Sequence, residues 1–287
     1  MIDFRNIELS DAQKCKELFK SSGSISCDYT FGNLFAWKDV FSYKIAFEQD
    51  YMFIRVGESE YSYFMPLGGS DIARGIQLLK EHVGGDVLIY GASTEDVENL
   101  KNAGVQIKSA TLHRDASDYI YKAEDLINLS GKKYHSKRNF ISRFKSSYNW
   151  SYEPLAVENI SEAKEFCEYW FGKFSDETGN EEKKVALGAL ENFEKIGFDG
   201  GLLRVDGRVI AFTAGEPIND KAFCVHIEKA DTEYVGAYNM LNQQFLINNC
   251  VGYELINREE DMGIEGLRKA KESYNPIFIF EKYNVIV

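Results

Sequence analysis

G-L-L-R-V-D-G-R-V-I-A-F-T-A-G, Gly201 to Gly215, reads as two apolar strands, Gly201–Val205 and Arg208–Gly215, folded about Asp206-Gly207. An Asp-Gly pair between such runs is the strongest short hairpin signal, because a tight two-residue turn needs positive φ at both central positions. Downstream, Lys221–Glu228 is a further strand, Gly236–Asn248 a helix, Tyr253–Asn257 a strand, Ile264–Ser273 a helix and Ile277–Tyr283 a strand. Upstream lie two helices, Ile160–Phe174, capped by Ser161, and Lys183–Lys195, stopped by Gly197. A hairpin followed by alternating strands and helices predicts a mixed sheet, antiparallel at the hairpin and parallel at the crossovers.

The first half repeats this order. Ser10 and Gln13 read as a capping box opening a helix to Lys20. The aromatic stretch Cys27–Asp39 reads as short helix or loop. Tyr43–Phe47 and Tyr51–Val56 form a hairpin, and Tyr61–Met65 a third strand. Helix Ser70–Val83, strand Val87–Tyr90, helix Thr94–Ala103 and strands Val105–Thr111 and Asp118–Tyr121 follow. The halves share a pattern rather than residues, so two α/β domains are expected, 1–152 and 153–287, with the boundary near Trp150–Leu155.

The chain has 287 residues, 44% hydrophobic and 27% charged, the composition of a folded globular protein. No run of eighteen apolar residues suits a membrane span. M-I-D-F-R-N-I-E-L-S lacks a basic-then-apolar pattern, so no signal peptide is expected. The five cysteines form no CxxC, which predicts reduced, buried thiols and a cytoplasmic protein. No two histidines fall at ligand spacing, so no metal is expected. A formal net charge of -12 argues against non-specific binding to polyanions.

Against that charge stands a basic island, G-K-K-Y-H-S-K-R-N-F-I-S-R-F-K-S-S-Y, Gly131 to Tyr148. No Asp or Glu occurs between Asp125 and Glu153. Read as a helix, it places Phe140, Ile141, Phe144 and Tyr148 on one face, leaving Lys132, Lys133, Lys137, Arg138 and Asn139 to present donors. Such a set suits phosphate or carboxylate, with Arg as a planar fork and Lys as a point charge. The other reading is a solvated face. His135, among the cations, is a candidate base as the neutral imidazole. A second candidate site is N-R-E-E-D, Asn257 to Asp261, at a strand's end before a helix. Its acids could hold an amine or take a proton, or simply complement the helix dipole. His226 reads as a core residue that shares a strand face with Glu228.

The order of elements resembles the Gcn5-related N-acetyltransferase fold, and the doubled order resembles the aminoacyl-tRNA-dependent transferases of the Fem type. Three stretches, D-Y-T-F-G-N-L-F-A-W (Asp28–Trp37), S-G-K-K-Y-H-S-K-R-N (Ser130–Asn139) and N-R-E-E-D-M-G-I-E-G-L-R-K-A-K-E-S-Y-N-P (Asn257–Pro276), carry a more specific resemblance. They resemble the C-terminal domain of phosphatidylglycerol lysyltransferases and its stand-alone relatives. The resemblance implies an α/β (α+β) fold of two tandem acyl-CoA N-acyltransferase-like domains, with mixed central sheets flanked by helices. It implies transfer of an acyl or aminoacyl group from an activated ester to an amine or hydroxyl. On that reading Glu260, Asp261 and His135 are catalytic candidates, while Lys132, Lys133, Lys137, Arg138, Asn139, Asn257, Arg258 and Glu259 bind substrate. The donor would be aminoacyl-tRNA, met by the local basic patch, or acyl-CoA, with no other cofactor called for. The acceptor would be a small molecule or a lipid headgroup. The acetyl-CoA enzymes carry Q/R-x-x-G-x-G/A for pyrophosphate, where this chain has E-Y-V-G-A-Y, Glu233 to Tyr238. Gly236 fits that pattern, whereas Glu233 and Tyr238 depart from it. A binding module that keeps the fold without the chemistry is the third expectation.

Overall fold

The computed structural model describes residues 1–174 and 179–287. Two compact units divide the chain. One holds Met1–Tyr119, Glu259–Lys269 and Ile279–Val287, the other Ile120–Arg258 and Ala270–Phe278. This division differs from a single boundary near Trp150–Leu155, because the C-terminal segments alternate between the units.

In the first unit the sheet runs Arg5–Asn6, Lys44–Glu48, Tyr51–Val56, Ser62–Tyr63, Leu88–Ser93, Lys282–Ile286, Ser109–Leu112, with Leu67–Gly68 paired to Tyr51–Val56. The expected hairpin is present, with Gln49 at positive φ in its turn. The last strand sits antiparallel between two others and carries Val285 into a core with Phe53, Ile76, Leu79 and Ile89. Ile277–Tyr283 is therefore not one strand. Phe278–Phe280 and Lys282–Ile286 belong to different sheets. The first long helix spans Ala12–Ser22, and its entry is capped by Glu8 and Asp11 rather than by Ser10 and Gln13. Asp71 caps Ile72–Val83, and Ser93 with Asp96 forms the box before Thr94–Asn102.

The second sheet runs Phe278–Phe280, Asp118–Lys122, Leu255–Asn257, Ala222–Ala230, Arg208–Pro217, Asp199–Val205, Trp150–Pro154. The Asp206-Gly207 turn is as the sequence predicts, both residues having positive φ. Val209–Glu216 is buried at every position, so both faces of this strand are covered, and apart from Thr213 and Glu216 its residues are apolar or glycine, without alternation. The helix Ala237–Asn249 packs on the sheet through Met240, Leu241, Phe245 and Leu246. The basic stretch is a short 3-10 turn, Lys132–Tyr134, followed by a helix, His135–Ser147. Ile141 and Phe144 are buried as expected, but Phe140 is exposed. Among the described residues no helix is long and apolar enough to cross a membrane.

The basic helix also covers the start of Ala237–Asn249. Gly236 caps that helix at φ 92. A Cβ there would lie 2.5 Å from the carbonyl oxygen of Phe140 and 3.3 Å from Cβ of Phe144. Glycine is required twice over, for its backbone angle and for the close approach. Gly236→Ala should lower stability by about 2–4 kcal/mol, measured by urea denaturation. A loss under about 0.5 kcal/mol would refute this packing.

Candidate functional site

In the second unit the candidate site lies where two parallel strands part. Ala222–Ala230 pairs in parallel with Leu255–Asn257 at Ala222↔Leu255, Phe223↔Ile256 and Cys224↔Asn257. Past Cys224 the longer strand keeps only its antiparallel partner, down to Ala230↔Ala211. The gap opens at the carboxyl ends of the parallel pair, where α/β sheets bind ligands. Glu228 lies on one side of it, and Arg258, directly after the last paired residue, on the other.

These two side chains meet. Arg258 Nη2 donates to Glu228 Oε2 at 2.8 Å, and Asn242 Nδ2 donates to the same oxygen at 3.4 Å. The side chains are only 13% and 12% exposed. Burial works against the guanidinium's charge, but Glu228 and the rings of Tyr121 and Tyr274 outweigh it and hold its proton more firmly than usual. The pair is nonetheless incomplete. Glu228 Oε1 and Arg258 Nη1 are buried and have no hydrogen-bond partner among the described residues. Each such orphan costs ~1–3 kcal/mol, and more when charged.

Lys137, from the basic helix, joins this cluster. Its Nζ donates to Ser273 Oγ at 2.6 Å and lies 3.8 Å from the centroid of the Tyr274 ring. The Arg258 guanidinium carbon lies 4.6 Å from the same centroid. Burial, and then repulsion by Arg258, pushes the Lys137 ammonium down to about 8. The ring is fixed because Asn239 Nδ2 donates to the Tyr274 hydroxyl at 2.6 Å. Lys271 Nζ donates to the Arg258 carbonyl at 2.6 Å.

Tyr134 Oη also donates to the Tyr274 carbonyl at 3.1 Å, but the other residues expected to bind substrate from this island do not join the cluster. Lys132, Lys133, His135 and Asn139 are exposed. Lys133 pairs with Asp125 at 2.8 Å, and His135 Nε2 lies 3.2 Å from Asn139 Nδ2. Arg138 donates to the carbonyls of Leu129 and Gly131, just past the short helix Ala123–Asn128. Asn257 is fully buried within its strand. Of the residues expected to bind substrate, Lys137 and Arg258 come together. Glu228, Tyr274 and Ser273 complete the cluster and come from other segments. Only the shared face of His226 and Glu228 hinted at Glu228 in advance.

The remaining acids lie in the first unit. Glu259 has positive φ. Asp261 is fully buried and anchored by donors: Arg268 Nε at 2.8 Å, Tyr119 Oη at 2.6 Å, Arg114 Nη1 at 3.3 Å and Gly263 N at 2.9 Å. The hydrogen bond from Arg268 is the largest cause that holds its carboxyl well below the usual range. So placed, Asp261 fastens a loop and is a poor proton acceptor.

Glu260 faces a buried ionic cluster. Lys282 Nζ lies 2.7 Å from Asp28 Oδ2, 2.8 Å from Asp118 Oδ1 and 3.3 Å from Cys27 Sγ. Cys27 donates through N to Asp118 Oδ2 at 2.9 Å, and its thiol lies 3.8 Å from Glu260 Oε2. Burial opposes the Lys282 charge, but Asp118 and Asp28 prevail and hold its proton well above the usual value. Burial, with Asp118, raises the Cys27 thiol, which disfavours the thiolate. Atoms of Cys27, Asp118 and Glu260 lie within 4.8 Å of one another, a set that could hold a cation. The Lys282 ammonium already supplies positive charge among these atoms. Burial, then repulsion from Glu259, pushes Glu260 up to about 7.

The family "Phosphatidylglycerol lysyltransferase, C-terminal" matches residues 19–286, and the chain belongs to it. A conserved protein of unknown function from Bacteroides thetaiotaomicron is 36% identical, with a TM-score of 0.91 and full coverage of both chains. L-PGS from Bacillus licheniformis is 15% identical, with a TM-score of 0.66 over 96% of this chain and 91% of that one. FemX is 9% identical, with a TM-score of 0.62 over 99% of this chain and 97% of that one, so it shares the fold. An uncharacterized protein of Mycoplasmoides gallisepticum is 24% identical over 182 residues, 61% of this chain and 58% of that relative's length.

The raised carboxyl of Glu260 has a consequence for stability. Its proton is bound more tightly in the folded chain, so this group subtracts stability as pH rises from 4.5 through about 7. Glu260→Gln removes that term. Denaturant titrations should show the variant gaining on the parent steadily across this window. A constant difference between the two would mean that Glu260 ionises as it does in water.

Proposed function

We propose, on the premise that a chain of this family keeps the family's class of chemistry, that the protein is an aminoacyltransferase. It moves an aminoacyl group from an ester donor, aminoacyl-tRNA, to an amine or hydroxyl acceptor. The observation carrying this reading is the incomplete pair Glu228–Arg258. One orphan is an acceptor on an anion and the other a donor on a cation, both buried at the strand fork. An aminoacyl ester offers the complementary groups on adjacent carbons. Its α-ammonium donates to Glu228 Oε1, and its carbonyl oxygen accepts from Arg258 Nη1.

The same contacts favour reaction. The acceptor's nitrogen or oxygen attacks the carbonyl carbon, and the new bond forms as the carbonyl electrons move onto oxygen. Arg258 Nη1 then faces a full negative charge and holds it more strongly than the neutral carbonyl. The oxyanion collapses, the ester C–O bond breaks, and the acceptor's proton passes to the departing ribose oxygen. The ester is already activated, so positioning supplies much of the rate and no protein nucleophile is required.

An acyl-CoA donor is the competing reading. Pyrophosphate would need the exposed N-terminus of a helix such as Ala237–Asn249. Here the Phe140 carbonyl oxygen crowds Gly236, and Glu233 brings the wrong charge. Both features favour the aminoacyl ester. The exposed Lys132 and Lys133 are suited to the phosphates of the tRNA.

The test supplies hydroxylamine as a general acceptor and measures aminoacyl hydroxamate formed from a mixed pool of charged tRNA. Formation above background is expected. Glu228→Gln or Arg258→Met should lower kcat/KM by about 100-fold. Lys132→Ala with Lys133→Ala should weaken tRNA binding and flatten its salt dependence. Turnover of acyl-CoA alone would replace this reading with the competing one. Turnover of neither donor would leave a binding module.

A further inference from the structure

We propose that a cavity at the open end of the first unit's hairpin binds a phosphate monoester of a small hydroxylated molecule, with the phosphate held by Lys44 and Arg55. This site stands apart from the aminoacyl reading, and neither depends on the other.

The strands Lys44–Glu48 and Tyr51–Val56 turn at Gln49, and at the other end of the ladder Lys44 faces Arg55. There a cavity of about 610 Å³ opens, lined by both cations and by Lys38, Asp39, Ser42 and Glu58. Small-molecule sites have volumes of roughly 300–1,000 Å³. Strand pairing sets Asn6, Lys44, Arg55 and Tyr63 in one row, so their side chains share a face of the sheet. Like charges directly opposite each other repel. Neither Lys44 nor Arg55 has a carboxylate within ion-pair distance among the described residues; Lys44 Nζ donates to Asn6 Oδ1 instead. The Arg55 guanidinium carbon lies 5.1 Å from the centroid of the Phe4 ring and 4.2 Å from that of Tyr61. These rings answer part of its charge and hold it in place. They supply no oxygen to its donors, and Arg55 Nε is buried with no hydrogen-bond partner among the described residues. A buried donor left unmet is costly, and more so on a charged group.

The carboxylates of the cavity are engaged elsewhere. Asp39 pairs with Lys38 at 3.1 Å, Glu58 accepts from Ser42 Oγ at 3.2 Å, and Glu8 caps the turn Leu9–Asp11. The group that completes the row is therefore an oxyanion from outside the chain. A phosphate monoester carries about 1.5 to 2 negative charges and three terminal acceptor oxygens. It can meet the edge of the Arg55 fork and the Lys44 ammonium at once. A carboxylate brings one charge and two oxygens, too few for both cations. The walls also limit what the phosphate is attached to. Glu8, Asp39 and Glu58 repel further negative charge, which disfavours polyphosphates and nucleic acid. Carboxylates accept hydroxyls readily, as Glu58 does from Ser42. A hydroxylated ester with a single phosphate satisfies both parts of the cavity.

The experiment titrates glycerol 3-phosphate and inorganic phosphate calorimetrically into the intact protein at pH 7.5. Glycerol, the diester glycerophosphoglycerol and ATP are titrated alongside. Glycerol 3-phosphate should bind with a Kd below about 1 mM, more tightly than inorganic phosphate. It should exceed the diester and ATP by at least about tenfold, and glycerol should not bind. Lys44→Met and Arg55→Met should each weaken the monoester by about tenfold or more. Both are checked by thermal melting, and Lys44→Met alone decides if Arg55→Met fails to fold. Asp39→Asn with Glu58→Gln should narrow the gap between the monoester and ATP. Failure of both glycerol 3-phosphate and inorganic phosphate to bind overturns the proposal, as does binding that Lys44→Met leaves unchanged. The diester or ATP binding as tightly as the monoester overturns the ligand class, pointing to a lipid headgroup or a nucleotide instead. None of these outcomes bears on hydroxamate formation from charged tRNA, so the aminoacyl reading stands or falls by its own test.

Discussion

The buried contact between Glu228 and Arg258 is the constraint on which the arrangement at the second unit's strand fork depends. Removing both charges from water is expensive, and their attraction offsets that cost only with good geometry and further hydrogen bonds. The geometry comes from strand registration. The parallel pairing stops at Cys224↔Asn257, so the two strands part just where one presents Glu228 and the other ends in Arg258. Asn242, Tyr121 and Tyr274 hold the pair in place. One oxygen and one nitrogen remain without partners among the described residues. A purely structural ion pair would gain by satisfying them, and a binding pair keeps them for its ligand.

The first unit shows the contrast. Lys282 is as deeply buried, yet its ammonium has Asp28, Asp118 and Cys27 around it at 2.7 to 3.3 Å. Its bonds run to residues far apart in sequence, and the last strand is thereby tied to the segment around Cys27. Asp261 is saturated in the same way by Arg268, Tyr119, Arg114 and Gly263. Buried charges of this kind raise the cost of local opening and specify one arrangement. Fully met, they hold a backbone in place. Partly met, as at Glu228 and Arg258, they leave hydrogen-bonding capacity unused, which is the basis of the function proposed above.

Much of the local structure was legible because it depends on neighbours in sequence. The Asp206-Gly207 turn followed from the positive φ it requires, and the helices from their apolar spacing. Where local signals misled, a nearby competitor had won. Glu8 and Asp11 took the cap that Ser10 and Gln13 could have formed. Phe140 lies beside the buried stripe of Ile141 and Phe144 on its helix, one position too far round to be covered. Ile277–Tyr283 looked like one strand because its apolar residues continue, yet its two parts pair in different sheets.

The sequence by itself determined the element types, the mixed α/β class and the presence of a positive island in a chain of net charge -12. These follow from periodicity, turn residues and composition, which act over a few residues. Only the tertiary structure decided which charges matter. It set Lys133 against Asp125 and Arg138 on the carbonyls of Leu129 and Gly131, and brought Lys137 to Tyr274 and Ser273, beside Arg258. It also turned Asp261 and Lys282 inward, among partners more than a hundred positions away. The reason is physical. The cost of burying a charge, and the partner that offsets it, depend on which distant segments the fold makes neighbours, and residue spacing along the chain carries no record of that.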